Sequence, residues 1–199
     1  FDAMRRRETY ATSGPRMAVR FFGGWDYPAD LCERSEAVAE ADAGGVPMGS
    51  RLPPRREPAA PRLFVSALRD AFSAPLQRLQ VVKGWLEDGE TRERVYEVAG
   101  DPDNGATVDE TTCAPSGDGA DALCTTWTDP DFDPAAPAFY YARVIEDPTC
   151  RWSRYACNAL DVECGTTGPE DPLYACCDPD VEHTLQERAW TSPIWYLPE

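Results

Sequence analysis

Lysine and histidine are almost missing from this sequence: Lys83 and His183 stand alone in 199 residues. A water-activating metal centre needs about three or more protein ligands brought together. One histidine beside Glu182 does not make one. Arginine supplies nearly all the positive charge, and the formal net charge is −16. That excludes a basic patch for nucleic acid or an anionic membrane surface, and the charge serves solubility. No apolar run reaches the roughly 20 residues that span a bilayer. The chain also lacks a paired Cys-x-x-Cys, an internal repeat and a signal-peptide pattern. Thr12-Ser13 and Thr191-Ser192 lie in no nucleophile elbow and have no base beside them, so they read as structural hydroxyls. Asp129, Asp131 and Asp133 alternate as in calcium loops. Pro134 and Tyr140, however, stand where an EF-hand needs Gly and Glu, so turn chemistry is expected there.

What the chain does have is 8 cysteines, 19 prolines and 14 glycines. Cys32, Cys113, Cys124, Cys150, Cys157, Cys164, Cys176 and Cys177 point to disulfides and an extracytoplasmic compartment, periplasmic or secreted. Cys113 and Cys124 flank a Gly/Asp/Ser-rich loop and are expected to pair. At least two further crosslinks are expected within or from the cluster at 150–177. Its odd count leaves one partner outside, and Cys32 fits by elimination. Cys176 and Cys177 should bond to different partners, because a vicinal disulfide strains the intervening peptide.

The stretch Phe139-Tyr-Tyr-Ala-Arg-Val-Ile-Glu146 is apolar on both faces and bounded by Asp-Pro pairs, which marks a central strand. Residues 1–8 read as a helix end, with Arg5, Arg6 and Arg7 in its last turn. Strands are expected near 17–25, 63–69, 76–86, 92–99, 122–127 and 185–196. The last is interrupted by Pro193 and so is placed at an edge. Glu87-Asp-Gly-Glu90 is a hairpin signal. Residues 26–62 read as irregular, with one helical turn near 35–41 and a polar loop at 53–58. Residues 101–122 and 150–183 read as loops. The fold class is mainly β: an antiparallel β-sandwich of about seven or eight strands, with long disulfide-linked loops and a short N-terminal helix.

Several strings, taken in order, carry a resemblance. They are Phe1-Asp-Ala-Met-Arg-Arg-Arg-Glu-Thr-Tyr-Ala-Thr-Ser-Gly-Pro-Arg16, Phe21-Phe-Gly-Gly-Trp25, Gly45-Val-Pro-Met-Gly49 and Leu79-Gln-Val-Val-Lys-Gly-Trp85. Further along come Asp129-Pro-Asp-Phe-Asp-Pro134, Phe139-Tyr-Tyr-Ala-Arg-Val144, Cys150-Arg-Trp-Ser153 and Gln186-Glu-Arg-Ala-Trp-Thr-Ser-Pro-Ile-Trp-Tyr196. Together they resemble the C-terminal part of the bacterial domain-of-unknown-function 3604 family, over essentially the whole chain. Ser50-Arg51-Leu52 departs from the Gly-Asp-Leu that the family tends to carry after Gly49.

The resemblance implies an exported protein whose N-terminal part is similar to a PHP-type metal-dependent hydrolase barrel. Residues 1–16 would then be the last helix of that barrel and its linker, and residues 17–199 a β-sandwich beside it. Phe1, Met4, Arg7, Tyr10 and Arg16 are the expected domain interface, with Phe21 adding to the apolar patch. Any divalent metal and small-molecule substrate would belong to the barrel. This chain alone is expected to hold no cofactor and to be non-catalytic. The alternative is a glycan- or ligand-binding sandwich, raised by 6 tryptophans. Trp25, Trp85 and Trp195 lie in apolar strands and are expected to pack. Exposed rings on one face would favour the glycan module. Arg16, Arg143, Arg151 and Arg188 sit among aromatics and are expected to stack on them; the alternative is an anion-binding role facing the barrel.

Overall fold

The computed structural model describes residues 1–55 and 59–198, so part of the loop expected at 53–58 lies outside the described residues. Two antiparallel sheets carry the fold. The larger has six strands. Its path runs β1 (Tyr10–Thr12), β13 (Arg188–Thr191), β10 (Ala138–Glu146), β5 (Leu76–Glu87) and β6 (Glu90–Gly100), and β14 (Ile194–Tyr196) also pairs with β10. The smaller runs β3 (Gly45–Pro47), β2 (Ala18–Gly24), β4 (Arg62–Leu68) and β9 (Ala122–Thr128). Two short ladders lie outside them: β7 (Thr107–Val108) with β8 (Pro115–Ser116), and β11 (Thr149–Cys150) with β12 (Thr184–Leu185).

Alternation along each strand builds the core between the sheets. Val19, Phe21, Leu63, Val65 and Ala67 face inward from the smaller sheet. Leu79, Val81, Tyr140, Ala142 and Val144 meet them from the larger. β10 is central, with β5 on one side and β13 and β14 on the other. The β5–β6 hairpin closes at Asp88 (φ 52°) and Gly89 (φ 81°), the left-handed pair that a tight hairpin turn requires. A second, smaller core of Phe22, Tyr27, Leu31, Ala41 and Phe64 lies on the other face of the small sheet. It is covered by α2 (Ala37–Gly44) and a short 3₁₀ turn.

Several expectations are corrected. Phe21 is fully buried and adds nothing to a surface patch. The last strand is not wholly an edge: β13 has β1 on its far side. Pro193 breaks the strand into β13 and β14, and the Thr191 hydroxyl accepts from the Ala142 N–H at 2.9 Å beside the break. Gly45–Pro47, within the stretch read as irregular, pairs with β2. The region at 150–183 contains α3 (Trp152–Ala159). Cys113 pairs with Cys150, and Cys124 pairs with Cys32. The physical reason is the layering. Cys124 projects from the outer face of β9 against the second core that holds Cys32. Cys113 ends the β7–β8 loop beside β11 and Cys150. Cys176 and Cys177 bond to Cys157 and Cys164.

Candidate functional site

The expected interface residues fall into two neighbourhoods. Helix α1 (Asp2–Arg6) has no buried residue and no side-chain N-cap. Phe1 is 86% exposed and Met4 66%. Arg7 ends the helix at φ 60°, and its Nε donates to the Gly49 carbonyl at 3.0 Å. Gly49 itself sits at φ 85° against the Arg7 backbone, with no room for a Cβ. Tyr10, on β1, donates its hydroxyl to the Met17 carbonyl. Arg16 lies apart from this group: its backbone N–H donates to Asp70 at 2.8 Å.

A buried polar network occupies one end of the core. Lys83, on the inward face of β5, donates to Asp129 Oδ2 at 2.6 Å and to the Asp131 carbonyl at 2.7 Å. The Tyr140 hydroxyl donates to the same Asp129 oxygen at 2.7 Å. The Lys83 ammonium also lies over the rings of Trp85 and Tyr140. At the rim, Asp131 accepts from Tyr96 and Arg94, each at 2.6 Å, and these bonds hold its carboxyl below the usual range. Burial and the Asp131 bond push the Tyr96 phenol up to about 12. Burial, then Asp129, pushes Tyr140 further still. The donors and acceptors of this network consume one another, so it orders the Asp129–Asp133 turn instead of presenting a reactive group.

A second buried acid, Glu146, ends β10. It accepts from the Ser73 hydroxyl at 2.6 Å through Oε2, while Oε1 is buried with no partner among the described residues. Burial, with Glu187 and Asp70 nearby, pushes its carboxyl up to about 7, and the Ser73 bond and Arg69 oppose the shift.

The remaining candidates are committed to structure. The Ser13 hydroxyl contacts Glu187 and the Arg188 carbonyl, and Thr9 meets Ser192. His183 lines a cleft of about 840 Å³ with Arg151, Arg154 and Arg188. Those guanidiniums donate to the carbonyls of Thr184, Glu110 and Gln186, and Arg143 donates to Gln80. Among the described residues, the ring-stacked cations are instead Arg5, Arg55 and Lys83. No group of three His, Cys, Asp or Glu side chains among the described residues is placed to hold a metal. No helix among them is long and apolar enough to cross a membrane.

The two sheets, the four disulfides and the exposed helix all lie within one match. A family model described as "Protein of unknown function (DUF3604)" covers residues 1–198. The chain belongs to this family. Comparison with curated proteins and with solved structures finds no match. The four disulfides of this DUF3604 chain suit an oxidising, extracytoplasmic environment. Lys83 and Glu146 escaped the sequence reading as members of a site, although period-2 counting carried the signal. Lys83 shares a face with Leu79, Val81 and Trp85, and Glu146 with Ala142 and Val144.

Proposed function

We propose that this chain is a non-catalytic β-sandwich of a larger exported protein, packed through α1 against a further domain that resembles a PHP-type metal-dependent hydrolase. The observation that carries this reading is α1 itself. It has five residues, buries none of them, and leaves Phe1 and Met4 in solvent. Helices this short are unstable in isolation, and most helical stability comes from packing an apolar face. A covering domain supplies that packing. Arg7 and Gly49 fix the helix to the sandwich at its other end. The divalent metal and the small-molecule substrate belong to the covering domain in this reading, with the sandwich as its support.

The test compares the product of the complete reading frame with this chain alone by amide hydrogen exchange. Residues 2–8 should exchange roughly tenfold or more slowly in the longer product, as a covered element does. Phe1→Ser with Met4→Ser should erase the difference. Equal exchange in both proteins sinks the reading. Metal analysis supplies the second arm: stoichiometric divalent metal should accompany the longer product and stay absent from this chain.

A further inference from the structure

On a different surface, three aromatic rings stand in solvent around one cleft. Phe72 is 92% exposed, Trp152 88% and Tyr155 48%. The cleft holds about 600 Å³, and Asp70, Ser73 and Glu187 complete its working surface. Its position is fixed covalently and by hydrogen bonds. Phe72 projects from a turn in which Asp70 Oδ1 accepts the Phe72 N–H at 3.0 Å and the Asp70 carbonyl accepts from the Ser73 N–H. Trp152 and Tyr155 lie three apart on α3, with ring centroids 6.3 Å apart. α3 is held by the Cys157–Cys176 disulfide and by Asn158 and Arg154 donating to the Glu110 carbonyl. The Cys113–Cys150 bridge lies in the wall of the cleft. The rings are therefore mounted on fixed supports while contributing little burial of their own.

The charged lining is carboxylate, and the hydroxyls of Ser73 and Thr149 add to the polar side chains. Asp70 and Glu187 are carboxylates. The Ser73 hydroxyl already donates to Glu146, so toward a ligand it acts as an acceptor. No Arg, Lys or His lines the cleft among the described residues. A surface of this kind rejects anions and suits a ligand rich in hydroxyl donors that also has an apolar flat face. The anatomy is also inverted relative to a protein–protein hot spot, which buries aromatics at the centre within a polar rim. Here the rings form the rim, and Asp70, with a side chain 13% exposed, lies deeper. Nor do the rings close into a box around a point charge, as a quaternary ammonium requires. We infer that this cleft binds a neutral carbohydrate. Trp152 and Phe72 would stack on sugar rings, and Asp70, Glu187 and Ser73 would accept their hydroxyl protons.

The experiment screens the purified, oxidised chain against an array of neutral plant, fungal, algal and bacterial oligosaccharides. Heparin hexasaccharide, chitosan hexamer and choline are included, and hits are followed by calorimetry. At least one neutral oligosaccharide should bind. Trp152→Ala and Phe72→Ala should each weaken it by about tenfold or more, and Trp195→Ala on another face should leave it unchanged. Both test residues are solvent-exposed, so circular dichroism should show that the variants fold. The proposal is overturned by an array with no neutral hit or by binding indifferent to Trp152 and Phe72. Preference for heparin, chitosan or choline would overturn it too. The result does not depend on what α1 packs against.

Discussion

At Glu146 and Lys83 the cost of burying a charge is handled in opposite ways. Glu146 has one oxygen without a partner among the described residues and keeps its proton through the acidic range, with the carboxyl raised from 4.5 to about 7. The native state therefore holds a proton that the unfolded chain releases across that window. Stability should be highest at the acidic end, fall as pH rises toward 7, and level off above it. The whole span is worth on the order of 3 kcal/mol. Urea denaturation of wild type and Glu146→Gln across pH 5 to 8 (about the useful range) checks this. The variant should lack that component of the slope, and parallel curves would count against it. Lys83 is instead paired, its Nζ 2.6 Å from Asp129 Oδ2. Lys83→Met strands Asp129 in the core and should cost about 3–5 kcal/mol, while Lys83→Met with Asp129→Asn should recover part of the loss. Additive single-variant costs in that double-mutant cycle would mean the pair is not coupled.

Among the elements, the long strands were legible because each writes its burial as alternation, as Val19 and Phe21 do on β2 and Tyr140, Ala142 and Val144 on β10. The Asp88-Gly89 turn was legible for its left-handed backbone. α3 was not, because covalent and carbonyl contacts hold it, through Cys157 and the Glu110 carbonyl, more than an apolar stripe does. Sheet neighbours are equally silent in sequence: Pro193 correctly marks a break but does not say that β1 covers β13. The candidate site fared likewise. Phe1 and Met4 were named as an interface through the family resemblance, whereas bringing Phe72 and Trp152 to one cleft requires the fold. Two predictions belong here. The Phe139 ring lies on Gly84, where a Cβ would collide with it. Gly84→Ala should therefore destabilise by about 1–3 kcal/mol, measured as a fall in denaturation midpoint. Full reduction should speed hydrogen exchange at 150–183 before it touches β5 and β10, because Cys157–Cys176 and Cys164–Cys177 order that loop. Unchanged exchange there would refute it.

For the molecule as a whole, the crosslinks join parts that sequence keeps apart. Cys32–Cys124 spans 92 residues and ties the second core to the small sheet, and Cys113–Cys150 spans 37. Peptide mapping of the unreduced protein should recover these two and no Cys113–Cys124 species. The bridges also interleave, which bears on how the chain is made. Loop-closure probability falls roughly as the three-halves power of length. In a reduced, unfolded chain, Cys113 therefore meets Cys124 some twentyfold more often than Cys32 does. Of these two partners for Cys124, the one met first is the wrong one, and that bond withholds a partner from two correct bonds at once. Thiolate attack can undo it, but uncatalysed reshuffling takes minutes to hours. The biosynthetic bottleneck is thus correction, not oxidation. An oxidant alone should accumulate Cys113–Cys124, and a disulfide isomerase should set the yield of folded protein.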